Sequence, residues 1–269
     1  MKFKENPVYI RDKIIQERRR DKNLRHIPGW LSYLSIYILP ILFIFLYMDT
    51  TKVTLQGGFI FSCYLQILYY CYRSLSASFS LIVREKEQRT FESIITTALS
   101  PEDILRGKFF AAFYPTVREL TMVMPIFLTM GIFTGVAIIK LISVYIITAM
   151  VIAFTIVVGL WASVRARNSQ QAYGTTVGIT GFIIISPFIL TFISRAIAIS
   201  IPELGKFAYL SLFLNPLFNL SQILFFERIL PKDYLYYFFG NIISLFFYSG
   251  IVISLWKSMI KKLSWIPKG

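Results

Sequence analysis

Charged side chains that could take part in chemistry or recognition are concentrated in residues 84–108, between two long apolar segments. Thr90 can cap a helix whose first turn contains Glu92, where a carboxylate interacts favourably with the helix dipole. The apolar residues beside them recur at helical spacing on one face: Phe91, Ile94, Ile95 and Ala98. The pattern predicts a short amphipathic helix whose apolar face could dock on a partner.

A second helix start follows at Ser100, with Pro101 at the first helical position and Asp103 at the third. Proline is favoured at that first position, and a serine three residues before an acidic side chain is close to a capping box. The segment is therefore predicted to be a short helix, a sharp corner and a second helix that enters the next apolar segment. This shape is typical of a docking surface, although ordinary loop structure would explain part of it.

Three charged residues within or beside apolar segments are candidates for a gate or a polar cavity: Arg73, Arg118 and Glu119. An arginine inside a membrane segment is a functional hypothesis by default. The alternative is that the long side chain of Arg73 reaches the membrane–water interface and that the other two residues lie at the same interface. Arg118 and Glu119 are adjacent, so they cannot share a helix face.

The sequence argues against several other kinds of site. Gly107 and Lys108 are not followed by serine or threonine and lack the upstream glycine of a phosphate-binding Gly-x-x-x-x-Gly-Lys-Ser/Thr loop. His26 is the one histidine in the chain. Cys63 and Cys71 lie about 12 Å apart if the segment is helical, which is too far for a disulfide. A His/Cys metal site is therefore not expected.

Composition predicts an α-helical membrane protein. Hydrophobic residues make up 56% of the chain and charged residues 16%, against about 25% charged residues in a soluble domain. The apolar residues form long unbroken runs, and a helix needs about 20 such residues to cross hydrocarbon. The formal net charge of +14 does not indicate a nucleic-acid partner, because the basic residues lie at the ends of the apolar runs.

Six spans are predicted, and their approximate bounds are residues 30–48, 57–76, 113–133, 141–163, 172–193 and 234–256. The second is expected to continue as helix into the polar stretch after Leu81. Lysine and arginine collect on one side if both termini are cytoplasmic, in agreement with the positive-inside rule. Residues 207–226 are apolar but interrupted by Asn215 and Pro216, and are predicted to form a re-entrant or interfacial hairpin on the outer face.

Three regions follow from this topology. Residues 1–29 are predicted to form an interfacial cytoplasmic helix, with Asn6 as its N-cap, Pro7 at its first position and basic residues near lipid phosphates. A solvated tail is the alternative. The weak apolar face of the helix comprises Val8, Ile10, Ile14 and Ile15. Residues 30–256 are predicted to form the six-span domain, and residues 257–269 a basic cytoplasmic tail.

The segment 84–108 resembles the coupling-helix region of ABC-2 type transporter permeases, in which the pattern E-x-E-x-G-T-x-E-x-L-L-x-T-P-L-S…I-L-x-G-K follows the second span. The residues that match as they stand are Glu85, Glu87, Thr90, Glu92, Leu99, Ser100, Ile104, Leu105, Gly107 and Lys108. Arg89 replaces the usual glycine and Ala98 replaces the usual proline. Ile94 and Ile95 are conservative replacements for the leucine pair.

The N-terminus adds to this resemblance. The sequence Asn6-Pro7-Val8-Tyr9-Ile10-Arg11 is similar to the N-P-V-x-x-R-E opening of one branch of the family, with Asp12 in place of glutamate. The predicted topology, with its outer hairpin before the last span, is also that of the family. The likeness therefore covers essentially the whole chain.

The resemblance implies a partner-dependent machine. Such a permease lies among membrane lipids, pairs with a second permease chain as a homo- or heterodimer, and binds two copies of an ABC nucleotide-binding subunit. ATP and Mg would be held by that subunit, so the permease would be no enzyme and hold no cofactor. The docking residues that the resemblance implies are Glu85, Glu87, Thr90, Phe91, Glu92, Ile94, Ile95, Leu99 and Ser100.

The function that the resemblance implies is export by alternating access of a lipidic, amphipathic or drug-like substrate across the inner or plasma membrane. Two other classes stay open. One is an ATP-independent secondary transporter, which the scarcity of carboxylates within the predicted spans disfavours, with Glu119 the borderline case. The other is a membrane scaffold or immunity protein that transports nothing.

Overall fold

A computed structural model describes residues 6–23, 52–91, 99–136, 138–198 and 234–264 of the 269-residue chain. Every regular element in these ranges is a helix. The predicted first span at 30–48 and the predicted hairpin at 207–226 lie outside the described residues. The same holds for most of the predicted amphipathic helix, of which Phe91 is described and residues 92–98 are not.

Seven helices are described: α1 Pro7–Asn23, α2 Lys52–Ser78, α3 Val83–Glu87, α4 Pro101–Phe133, α5 Ile138–Arg165, α6 Ser169–Ala198 and α7 Tyr234–Ser264. Among the described residues, the segments Pro101–Phe133 and Lys140–Arg165 are long and apolar enough to cross a membrane. The all-helical prediction is confirmed for this part of the chain, whereas the number of spans stays a prediction.

Helix α5 lies at the centre of the bundle and contacts α2, α4, α6 and α7. Leu141, Ile152 and Leu160 are completely buried although they lie far apart along the helix. A helix that is apolar on nearly all sides belongs in the interior, and this explains its position. Gly159 lies directly against Ser78 of α2, where an added Cβ would clash with the serine side chain.

Helix α2 ends at Ser78, and residues 79–82 form a turn before α3 begins at Val83. The helix predicted in the polar stretch after Leu81 is present as α3, but the turn separates it from α2. The Ser78 hydroxyl donates to the carbonyl of Ser74 at 2.8 Å and so bonds the last turn of α2. The turn then directs the amides of Ile82 and Val83 towards α5, where Ser163 Oγ accepts from both of them.

Helix α4 begins where its capping sequence predicted. The amide of Asp103 donates to Ser100 Oγ at 3.1 Å, and the Ser100 hydroxyl donates to Asp103 Oδ2 at 2.6 Å. Pro101 occupies the first turn. The helix then continues through Pro115 and Pro125 to Phe133, so the helix that starts at Ser100 and the third predicted span are one continuous helix.

Helix α1 also begins as predicted, because Asn6 Oδ1 accepts from the amides of Val8 at 3.0 Å and Tyr9 at 3.4 Å. Its buried face is different from the apolar face that the sequence indicated. Val8, Tyr9 and Asp12 are buried against the fold, whereas three isoleucines are exposed: Ile10, Ile14 and Ile15. The helix packs through a partly polar face on α4.

Candidate functional site

The end of α3 places a left-handed residue, Arg89, where the resembled pattern has glycine. The amide of Arg89 donates to the Lys86 carbonyl at 3.1 Å, and that of Thr90 donates to the Glu85 carbonyl at 2.9 Å. These two bonds form a Schellman motif, whose residue after the cap adopts the left-handed conformation. Arg89 has φ +55°, as this motif requires. The glycine of the family pattern suits that conformation, because glycine has no Cβ to strain it.

The start of α3 and the end of α5 satisfy each other's free backbone groups. Ser163 Oγ of α5 accepts from the amides of Ile82 at 3.0 Å and Val83 at 2.8 Å. In return, Lys86 Nζ donates to carbonyls in the last turn of α5, including those of Val164 and Ser163. Burial, and next the charge of Lys262, lower the pKa of the Lys86 ammonium. A lysine at these carbonyls is favoured by the negative end of the helix dipole.

Glu87 joins α3 to the first turn of α6. Its carboxylate accepts from the Ser169 amide at 2.6 Å and from the Ser169 hydroxyl at 2.7 Å. These bonds, the one from the hydroxyl first, lower the pKa of the Glu87 carboxyl. A carboxylate at a helix N-terminus satisfies an amide that has no partner within its own helix. Helix α3 is therefore fixed to both sides of the corner between α5 and α6.

A buried ion cluster connects α3 to α1 and α4. Lys108 Nζ, 1% exposed, donates to Asp12 Oδ2 at 2.9 Å and to Glu85 Oε1 at 2.6 Å. Arg11 donates to Asp12 Oδ1 at 2.7 Å and also pairs with Glu85. Burial acts to lower the pKa of Arg11, but Asp12 and Glu85 raise it overall. Two cations and two carboxylates thus balance each other, which is the condition for burying charge.

Gly107 allows α1 to reach this cluster. A Cβ at position 107 would lie 2.9 Å from Asn6 Oδ1 and 3.1 Å from the Tyr9 amide. Asn6 also donates from Nδ2 to the Asp103 carbonyl at 2.7 Å. Gly107 therefore leaves room for the start of α1, and Lys108 binds the Asp12 carboxylate of that helix.

Of the residues predicted to form a gate or cavity, the structure brings two together. Arg73 Nη2 lies 3.2 Å from Glu119 Oε1, and Arg73 Nε lies 3.3 Å from Oε2, so the pair joins α2 to α4. Glu119 is buried and Arg73 is partly exposed. Arg118, the neighbour of Glu119, is exposed. The interpretation of Arg73 as a side chain that only reaches for the interface is incomplete, because it has a carboxylate partner.

The predicted docking residues have different positions. Phe91 is buried, with Lys86 Nζ 5.9 Å from its ring centre, and Leu99 packs on the small cluster of Val8 and Ile104. The Thr90 hydroxyl donates to the Glu85 carbonyl. Ser100 caps α4. Three of the predicted residues, Glu92, Ile94 and Ile95, lie outside the described residues. Those that are described hold the segment in place, and their role in binding a partner stays a prediction.

Four residues of this arrangement were not among the predicted site residues: Arg11, Asp12, Lys86 and Lys108. Arg11 matches the N-terminal pattern and Lys108 matches the loop pattern, so the resemblance contained a signal for both. Only the fold reveals that the two patterns describe one cluster. Lys86 had no such signal, because its acceptors are carbonyls near residue 164.

No family model and no curated protein matches the chain. The geometry itself shows how several helices are attached to one another. Four helices, α1, α4, α5 and α6, are attached to the short helix α3 through ion pairs and helix caps. Among the described residues, no group of three or more His, Cys, Asp or Glu side chains could hold a metal ion.

Proposed function

We propose that the chain is the membrane permease subunit of an ABC-2 type ATP-driven exporter, with six spans and both termini in the cytoplasm. It would pair with a second permease chain and bind two nucleotide-binding subunits that hold ATP and Mg. Its substrate would be lipidic, amphipathic or drug-like. The apolar composition and the two long apolar helices support the membrane assignment.

One observation supports the family assignment most directly. The N-terminal residues and the loop residues that carry the resemblance lie far apart in sequence but form one cluster, in which Lys108 binds both Asp12 and Glu85. Unrelated chance matches would have no reason to meet in space. The contact of Gly107 with Asn6 joins the same two patterns a second time.

The mechanism follows from how α3 is held. Closure of the ATP-bound partner subunits would push on residues 90–98, which continue directly from the Schellman turn at Arg89. Buried charge pairs resist separation, because breaking one leaves an uncompensated charge. The push would therefore reach α4 through Lys108, and it would reach the α5–α6 corner through the hydrogen bonds of Lys86 and Glu87. Movement of these helices would exchange inward-open and outward-open states.

The test is copurification of a nucleotide-binding subunit with the tagged chain, together with ATPase activity of the complex. A buried apolar docking residue contributes about 1.5–3 kcal/mol, so Ile94→Asp should weaken partner binding roughly ten- to a hundredfold. Glu92→Lys should also weaken it, since it reverses a charge that favours the helix N-terminus. Ile94→Val keeps the apolar surface and is the matched control. Wild-type binding and ATPase activity in both disruptive variants would refute coupling through this segment.

A secondary transporter is the second candidate, because Glu119 is a buried carboxylate paired with Arg73 between two helices. Proton-coupled substrate flux in vesicles without any ATPase would favour this function. Glu119→Gln would then abolish the flux. An exporter driven by a partner subunit would instead show flux that requires ATP.

A further inference from the structure

A cavity of about 460 Å³ lies between the N-terminal part of α4 and the facing parts of α5 and α7. Its wall is mainly apolar and comprises Phe109 and Phe110 of α4, Val157 of α5, and Val252 and Trp256 of α7. The rings of Phe109 and Trp256 meet edge to face, with centroids 6.0 Å apart. Sites for small molecules have this character, with about 300–1,000 Å³ of volume, apolar walls and a few polar groups.

The polar rim of the cavity consists of Asn6, Asp103 and Arg106. Asn6 and Asp103 use their side chains within the fold, in the caps of α1 and α4. Arg106 is exposed, and the hydrogen bond described for its guanidinium runs from Nη2 to Glu102 Oε1 at 2.7 Å. An exposed pair of this kind contributes little and exchanges readily. A phosphate would take the place of Glu102 on this guanidinium, whose five N–H donors can bind it through two oxygens, while the Asp103 carboxylate stays bonded to Ser100.

The charged and apolar parts of the cavity follow each other along one helix face. Phe109 and Phe110 come three and four residues after Arg106, so their side chains lie one turn further along the same side of α4. Phe113 continues the row, stacked on Phe109 with centroids 5.1 Å apart. A ligand that follows this face meets a cation first and aromatic rings afterwards. A phospholipid presents its phosphate and its alkyl chain in that order.

We propose that this cavity binds a phospholipid of the cytoplasmic leaflet, with the phosphate on Arg106 and the start of an alkyl chain along Phe109, Phe110 and Trp256. Arginine forms geometrically specific pairs with phosphate oxygens, which selects a phosphate head over an uncharged one. The inference rests on the membrane orientation of the proposed function. It requires neither a nucleotide-binding partner nor transport, so a failure of lipid binding can be told apart from a failure of the proposed function.

The experiment uses the full chain in an uncharged detergent, titrated with phosphatidylglycerol whose acyl chains carry bromine near the head group. Bromine quenches tryptophan fluorescence on contact, and Trp256→Phe identifies the part of the signal that comes from the cavity. We expect saturable quenching by the lipid. Arg106→Gln should raise the midpoint roughly tenfold or more, as expected for loss of a hydrogen bond between charged groups. Arg106→Lys should be intermediate, and Phe110→Ala should also raise the midpoint.

Arg167→Gln removes an exposed arginine at the α5–α6 corner and is the matched control, which should bind as the wild type does. Thermal unfolding is measured for each variant to establish that it is folded. If Arg106→Gln does not fold, Arg106→Lys tests the head-group contact instead. Equal midpoints for wild type and Arg106→Gln would overturn the proposal. So would equal quenching by a brominated alkyl maltoside, or full competition by inorganic phosphate at the lipid's own concentration, which would indicate a site for the free anion.

Discussion

Lys108 and Asp12 lie 96 residues apart in the chain, and a 2.9 Å ion pair joins them in the interior. Glu85 binds the same ammonium from the other side. This contact holds the N-terminal helix against the start of α4 and ties both to the loop that resembles a coupling element. The lysine side chain is 1% exposed, so its charge depends on these two carboxylates for compensation.

Lys108→Met should destabilise the protein by about 3 kcal/mol, because it leaves two buried carboxylates short of a cation. The value is at the lower end of the range for a broken buried pair, since Arg11 still contacts both acids. Denaturant unfolding in detergent measures the change. Lys257→Met removes an exposed lysine and should change stability by less than about 0.5 kcal/mol. Equal losses in the two variants would show that Lys108 contributes no buried pairing energy.

Gly107→Ala should loosen helix α1 from α4. The added Cβ meets Asn6 Oδ1, Val8 Cβ and the Tyr9 amide at 2.9–3.1 Å, and two of these atoms belong to the cap of α1 or its backbone. Overpacking of this kind costs about 1–3 kcal/mol. Trypsin cleavage after Arg11 and Lys13 should become faster, which gel electrophoresis and mass spectrometry would detect.

Gly178→Ala is the matched control for that experiment, because no atom of the described residues lies within 4 Å of the added Cβ. Alanine is favoured over glycine within a helix by about 0.8–1 kcal/mol. The control should therefore be neutral or stabilising. Unchanged cleavage of Gly107→Ala would mean that α1 does not depend on this close approach.

The helix starts could be predicted from the sequence because their causes are local. Asn6 with Pro7, and Ser100 with Asp103, satisfy amides two or three residues away, so a short window of sequence contains the whole interaction. The start of α3 could not be predicted from its neighbours in sequence, since its cap is Ser163, eighty residues away. The helix after Leu81 was therefore predicted, but not the turn that separates it from α2.

Of the four residues of the buried ion cluster, only Glu85 was among the predicted site residues. Glu85 was predicted to face a partner, whereas it binds Lys108 and Arg11 inside the fold. An alternation of acidic and basic residues does not say which charges pair with one another. That choice depends on how closely α1 approaches α4, and therefore on the glycine at 107.

Arg89→Gly should stabilise the protein by about 1 kcal/mol. Arg89 has φ +55°, and the left-handed conformation costs a residue with a Cβ roughly 1–2 kcal/mol. The gain falls at the lower end because glycine also has more freedom in the unfolded chain. Arg89→Ala retains a Cβ and should bring no such gain, so it separates the backbone effect from the loss of charge. The measurement compares the unfolding midpoints of Arg89→Gly and Arg89→Ala. Equal midpoints would mean that any change comes from the lost charge alone.

The bond between Glu87 and Ser169 should make the joint between α3 and α6 sensitive to acid. The hydroxyl and amide of Ser169 hold the pKa of the Glu87 carboxyl below its ordinary value of 4.5. A carboxyl with a depressed pKa contributes stability that is complete above its unfolded-state pKa and is lost as the pH falls through the folded-state pKa. We therefore expect the stability difference between wild type and Glu87→Gln to be constant from pH 7 to about 5 and to shrink below that.

Ser169→Ala keeps the carboxylate but removes the hydroxyl donor, so the acid-dependent part should be smaller in this variant, because the amide bond remains. Unfolding midpoints at pH 7, 5, 4 and 3 for the three proteins provide the comparison. A difference between wild type and Glu87→Gln that stays the same down to pH 3 would show that the charged form of Glu87 does not hold α6.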